Sequence, residues 1–238
     1  MALLGRPGTP AGEPHRRPGL LADFILGSQD GLVNVLGVIL GVAIASQDIR
    51  IIIAGGLAAT FAESISMGAV AYTATRARRD HYLAEEERER REMKELPERE
   101  KQEVREILER WGFVGAELED LLAKIVSKEK AWLEIMMAHE LFLAPVSKEE
   151  ARKSAVVVGL AALVGSFIPL TPFLIFRSEI LYGIAVSLAV SAAVLFMIGW
   201  YKAKTTVGRP GWSGLEMTAI GMASALAGFA IAYAVGVA

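Results

Sequence analysis

Long apolar runs alternate with one dense polar block along this chain. A bilayer core of ~30 Å needs about 20 consecutive apolar residues in a helix. Five stretches meet that length: 24–46 with Asp30 as its one charge, 51–75 with Glu63, then 154–176, 180–201 and 217–238 with none. The third carries Pro169 and Pro172 near its end. The pattern predicts an all-α membrane protein of five transmembrane helices. A signal peptide ending at Ala43-Ile44-Ala45 is the rival for the first span, but that span is longer than a signal core and holds an acid. Residues 1–20, rich in Pro, Gly and Arg, read as a disordered tail.

Between the second and third spans the pattern becomes helical and amphipathic. Helices are predicted over 76–95, from Pro97 or Glu98 to Gly112, over 115–126, and from an N-cap at Ser127 to Leu143. The first of these has nothing to separate it from the second span and reads as its continuation. Val104, Ile107, Leu108 and Trp111 share one helical face, and Leu118, Leu121, Leu122 and Ile125 another, so the helices have stripes to bury against each other. The predicted division is therefore a tail (1–20), spans one and two (21–75), a helical insert (76–153) and spans three to five (154–238).

Composition agrees with this division. The 238 residues are 53% hydrophobic, yet 22% are charged. The mean hydropathy of +0.39 survives because 20 of the 27 acids and 17 of the 25 bases lie in 76–153. Outside the insert, Arg6, Arg16, Arg17, Lys202, Lys204 and Arg209 fall on one side of the spans and only Arg50 and Arg177 on the other. The positive-inside rule places the N-terminus and the insert in the cytoplasm, and the C-terminus outside or in a lumen. The net charge of −2 gives no reason for a nucleic-acid partner, and the absence of Cys excludes disulfides and thiolate metal sites. No His-Glu-x-x-His or Gly-x-Ser-x-Gly motif is present, which argues against an intramembrane enzyme.

Two chemistries fit the insert. One is a solvated hairpin laced with Glu/Arg pairs. The other is a carboxylate metal site: Glu85, Glu89 and Glu92 form one stripe, Glu100 and Glu103 sit on the next helix, and the turn at Pro97 folds the two together. Met136 and Glu140 share a face beyond them, with Met137 adjacent. Carboxylates suit Fe²⁺, Mn²⁺ or Mg²⁺, and thioether sulfur shifts the preference toward transition metals. In the spans, Asp30 and Glu63 are acids in hydrocarbon, which by default mark a function. Counting ~1.5 Å per residue from the cytoplasmic ends puts Asp30 and Met67 at similar depth and Glu63 about one turn deeper. Asn34, four residues after Asp30, could line the same path. The alternative for Asp30 is a headgroup-level residue that caps its helix or pairs with a tail arginine. Gly37/Gly41 and Ser224/Gly228 are small-xxx-small pairs that permit close helix contact and hint at a dimer.

Ser28-Gln29-Asp30-Gly31-Leu32, Ser64-Ile65-Ser66-Met67-Gly68, Asp80-His81-Tyr82 and Ala131-Trp132-Leu133-Glu134-Ile135-Met136-Met137 before Glu140 stand in an order and spacing that resemble the vacuolar iron transporter family. The resemblance implies a homodimer of five-span protomers that exports Fe²⁺, and in some members Mn²⁺, from the cytoplasm in exchange for protons, with no prosthetic group. It implies that Asp30 and Met67 are path ligands at the dimer interface. Glu89, Glu92, Glu100, Glu103, Met136 and Glu140, with Met137 as an extra ligand, would form a cytoplasmic metal-binding domain. Ala59 stands where the plant-type pattern has an acid, and Glu63 is the acid nearest to it. The host membrane would be the cell membrane in a prokaryote and the vacuole in a plant or fungus. The competing expectation is a membrane-anchored metal sensor or buffer that does not transport.

Overall fold

The computed structural model describes residues 18–236, and these form eight α-helices and one π-helical turn, with no strand among them. The helices are α1 (Pro18–Ser46), α2 (Ile49–Glu95), α3 (Pro97–Arg110), α4 (Gly115–Val126), α5 (Glu129–Ile135), α6 (Lys148–Ile175), α7 (Ile180–Thr205) and α8 (Pro210–Gly236). Five of them, α1, α2, α6, α7 and α8, are long and apolar enough to cross a bilayer. The chain is an integral, multi-pass membrane protein by this measure. It divides into two compact units: residues up to Ala69 together with Val156 onward, and Val70–Ala155.

Local chemistry moves several boundaries away from the hydropathy pattern. Most of the predicted tail lies outside the described residues, but residues 18–20 already belong to α1. Asp48 opens α2 by accepting a bond from the Arg50 N–H at 2.7 Å, after Gln47 reverses the chain at φ 48°. From there α2 runs 47 residues without a break, about 70 Å. Ser147 and Glu150 bond each other's backbone N–H in a capping box, so α6 starts at Lys148, six residues before the predicted span. Pro210 opens α8 seven residues ahead of the expected start. Ser127 is not an N-cap. Its N–H bonds to the Ala123 carbonyl, so it closes α4, and Lys128 precedes α5.

In the first unit α1 is the central helix, with Leu32, Val35, Leu36 and Ile39 fully buried. Its contact with α6 is backbone on backbone. A Cβ on Gly27 would meet the Val158 carbonyl oxygen, one on Gly31 the Ala162 carbonyl oxygen, and one on Gly165 the Ser28 carbonyl oxygen. Gly37 and Gly228 bring α1 and α8 together in the same way at looser spacing, about 3.7 Å from a built Cβ to the facing backbone. Both small-residue pairs therefore contribute to packing inside one chain. Pro169 and Pro172 are absorbed within α6, where the Ser187 hydroxyl donates to the Pro169 carbonyl at 2.8 Å.

The second unit is a small core built by the predicted stripes. Val104, Ile107, Leu108, Leu118 and Leu122 are buried with Met93, Trp132 and Leu133. Each such side chain contributes about 1.5–3 kcal/mol by leaving water. Trp111, expected inside, is half exposed, its ring edge-on to His139 with centroids 4.8 Å apart.

Gly31→Ala should force α1 and α6 apart, because the added methyl meets a carbonyl oxygen that cannot move without its helix. A loss of about 1–3 kcal/mol is expected. The check is the melting temperature of the purified protein in detergent against Gly19→Ala, a site with nothing within 4 Å of the new methyl.

Candidate metal centre

Three glutamates from three different segments of the second unit converge. Glu89 lies on α2, Glu100 on α3 and Glu140 on the π-helical turn Met136–Glu140, and each offers a carboxylate oxygen within 4.8 Å of the others. Glu89 and Glu100 are 3% and 1% exposed, where an ordinary glutamate is solvated. One oxygen of each of the three (Oε2) is buried with no hydrogen-bond partner. Orphaned carboxylate oxygens gathered in this way are a donor set suited to a cation or to shared protons.

The sequence dictates each approach. Leu96-Pro97 stops α2 and restarts the chain as α3, with Pro97 at the first helical position. Glu100 is thereby folded back toward Glu89. Glu140 is delivered by one extra residue in the turn. The Leu141 N–H bonds to the Met136 carbonyl, five residues back, where an α-helix would reach four. Arg110 donates to the His139 carbonyl at 3.4 Å beside the Trp111–His139 ring contact. Met136 and Met137 are both buried in the unit's core next to this turn.

Burial first, and the neighbouring carboxylates after it, push the Glu89, Glu100 and Glu140 carboxyls each up to about 7 from an ordinary value of 4.5. Glu92 and Glu103 are among those neighbours, yet each also holds an arginine, Arg88 at 3.0 Å and Arg99 at 3.1 Å. They form a second tier whose charge is shared between the cluster and a guanidinium. Glu85 is drawn aside to Arg88 and His81. The hairpin carries Glu/Arg pairs outside and, within, carboxyls that form no ion pair among the described residues. Glu106 and Glu109, not singled out from sequence, line an open depression of about 600 Å³ with Arg110 and Glu140. The signal was their continuation of the Glu100, Glu103 spacing along α3.

The first unit brings its polar residues together as well. The Asn34 amide donates to the Glu63 carboxylate at 3.1 Å, joining α1 to α2. Asp30, one turn before Asn34, lies within hydrogen-bonding reach of both Asn34 and Glu63. Met67 is one turn beyond Glu63 on the same face of α2 and is half-buried. Asp30 is not occupied in capping its helix. It sits 12 residues inside α1 and lines, with Asn34, Gly221 and Ser224, a cleft of about 260 Å³ between α1 and α8.

Five helices long enough to cross a bilayer and a buried carboxylate cluster are features suited to a membrane protein that handles divalent cations. More particularly, the chain belongs to the VIT family, whose model matches residues 21–233. It is 34% identical over 224 residues to vacuolar iron transporter 2 of Oryza sativa subsp. japonica, covering 94% of this chain and 91% of that protein. It is 32% identical to vacuolar iron transporter 1 of Arabidopsis thaliana, covering 92% and 88%. A vacuolar iron transporter of Plasmodium falciparum is 28% identical over 88% of this chain and 80% of its own length. The family members are transporters and not enzymes.

Two outcomes follow from the shared protonation. Because the folded carboxyls hold protons up to about pH 7 and an unfolded chain releases them near 4.5, stability of the metal-free protein should fall as pH rises between those values. A cation needs the ionised forms, so Mn²⁺ affinity should rise by at least about tenfold from pH 6 to pH 8. Melting curves with and without Mn²⁺ at both pH values check the pair. Glu100→Gln should lower Mn²⁺ affinity about 10–100-fold while raising metal-free stability at pH 8, a combination that simple damage to the fold does not produce. Deletion of Ala138 should convert the π-turn to α-helix and rotate Glu140 by ~100°. Mn²⁺ affinity should then fall about tenfold with helical circular dichroism retained.

Proposed function

We propose that this chain exports Fe²⁺ from the cytoplasm by proton antiport as a homodimer, with Mn²⁺ as a second cargo. The observation that carries the reading is the contact of Asp30, Asn34 and Glu63 inside the spans, with Met67 one turn away. An anchor that only tethers a metal buffer has no use for two acids and an amide in hydrocarbon. The relatives named as iron transporters supply the cargo.

The residues divide the work by chemistry. Glu89, Glu100 and Glu140, backed by Glu92 and Glu103, collect the hydrated ion, with Met136 and Met137 flanking Glu140. Asp30 and Glu63 replace part of the hydration shell in the spans, and the Met67 thioether favours a transition metal over Mg²⁺ or Ca²⁺. Asn34 holds the Glu63 carboxylate toward Asp30. Glu63 takes the place of the acid missing at Ala59, one turn nearer to Met67. Protons that return through the same carboxyls release the ion on the far side. Asp30, Glu63 and Met67 are partly exposed and Asn34 is exposed in the single chain, and a second protomer would enclose them. The distribution of Lys and Arg supports a cytoplasmic insert and N-terminus.

Proteoliposomes test the reading, with Fe²⁺ or Mn²⁺ uptake and internal pH recorded together. Asp30→Asn, Glu63→Gln and Met67→Ala should each cut flux by about tenfold or more while the insert still binds Mn²⁺. Wild-type flux in all three would remove the path assignment. Metal binding with no flux in the unmodified protein would favour the buffer.

A further inference from the structure

The turn from α7 to α8 carries a surface that metal transport does not use. Its tip residue Val207 is 97% exposed and Trp212 is 71% exposed, with Trp200 and Tyr201 also at the surface. Lys202, Lys204 and Arg209 are interleaved with them. No acid occurs between Glu179 and Glu216, and no carboxylate pairs with any of the three cations among the described residues. Lys204 lies over the Trp200 ring with Nζ 4.7 Å from its centroid. The turn is well built. The Thr205 and Thr206 hydroxyls donate to the Lys202 carbonyl, Gly208 reverses the chain at φ 147°, and Pro210 starts α8.

Exposed Val and Trp beside unpaired Lys and Arg would be a liability in water. At the ends of two membrane-crossing helices the same set fits the boundary between hydrocarbon and headgroups, where indole rings concentrate. Basic residues at that level attract anionic lipid, each by several-fold. We propose that the α7–α8 turn is a docking site for an anionic phospholipid headgroup. Lys202, Lys204 and Arg209 supply the positive charge at the level of the phosphodiester, while Val207 and Trp212 enter the glycerol and upper acyl layer. The apolar flank selects a lipid over free phosphate, which has no use for it. The assignment requires only that α7 and α8 cross the bilayer, so it stands or falls separately from the transport reading.

The test is native mass spectrometry of the full chain released from nanodiscs of phosphatidylcholine and phosphatidylglycerol. Wild type should retain phosphatidylglycerol in preference to phosphatidylcholine. K202Q/K204Q/R209Q should lose that preference by about tenfold. K124Q/K128Q/K130Q, with the same charge change in the other unit, should keep it. Equal retention by wild type and the first variant, or equal loss in both variants, overturns the site. Displacement of the lipid by millimolar inorganic phosphate also overturns it, in favour of a free-anion site. If the triple variant does not fold, R209Q alone should lower the preference several-fold, and an unchanged ratio there overturns the proposal as well.

Discussion

Three carboxyl groups held within a few ångströms, each with an oxygen that no hydrogen bond reaches, set the terms for the second unit. Like charges at that spacing and burial cannot all be ionised at neutral pH without a counter-cation. The protein accepts this cost, and its local irregularities serve it: the Pro97 break, the extra residue of the π-turn, and the arginines Arg88 and Arg99, whose ion pairs are with the outer glutamates. Replacing the trio by leucines would give a more ordinary core. That the core is not ordinary is the strongest physical sign that the trio has a role other than packing.

The same logic operates on a smaller scale in the spans. Asn34 gives the Glu63 carboxylate a neutral donor in place of a positive partner. A lysine there would neutralise the acid permanently, whereas an amide orients it and leaves its charge available to a passing cation. Asp30 then shares the site without a competing base.

Much of this was legible in the residues, because it depends on period and length. Five runs of apolar residues gave five helices, and the approach of Glu100 to Glu89 follows from stripes and one proline, whereas Glu140 was joined to them only by the family resemblance. The helix ends were harder. Ser147–Glu150 and Pro210 extend α6 and α8 beyond their apolar stretches, since capping chemistry and not hydropathy decides where a helix begins. The π-turn was not visible, because one inserted residue leaves the composition of 127–143 unchanged while it turns every later side chain. The Glu92–Arg88 and Glu103–Arg99 pairs separate inner from outer glutamates, and that choice lies in rotamers that spacing alone does not fix. The Gly pairs were legible as close-contact sites, but not as contacts within one protomer.

Glycines at 27, 31 and 165 press the main chain of α1 directly against that of α6, without side chains to act as bearings. Such an interface has almost no slack for sliding or rolling. The two helices must travel as one rigid strut, so under the transport proposed for this chain any movement that presents Asp30 to the two sides in turn has to be hinged at joints other than this one.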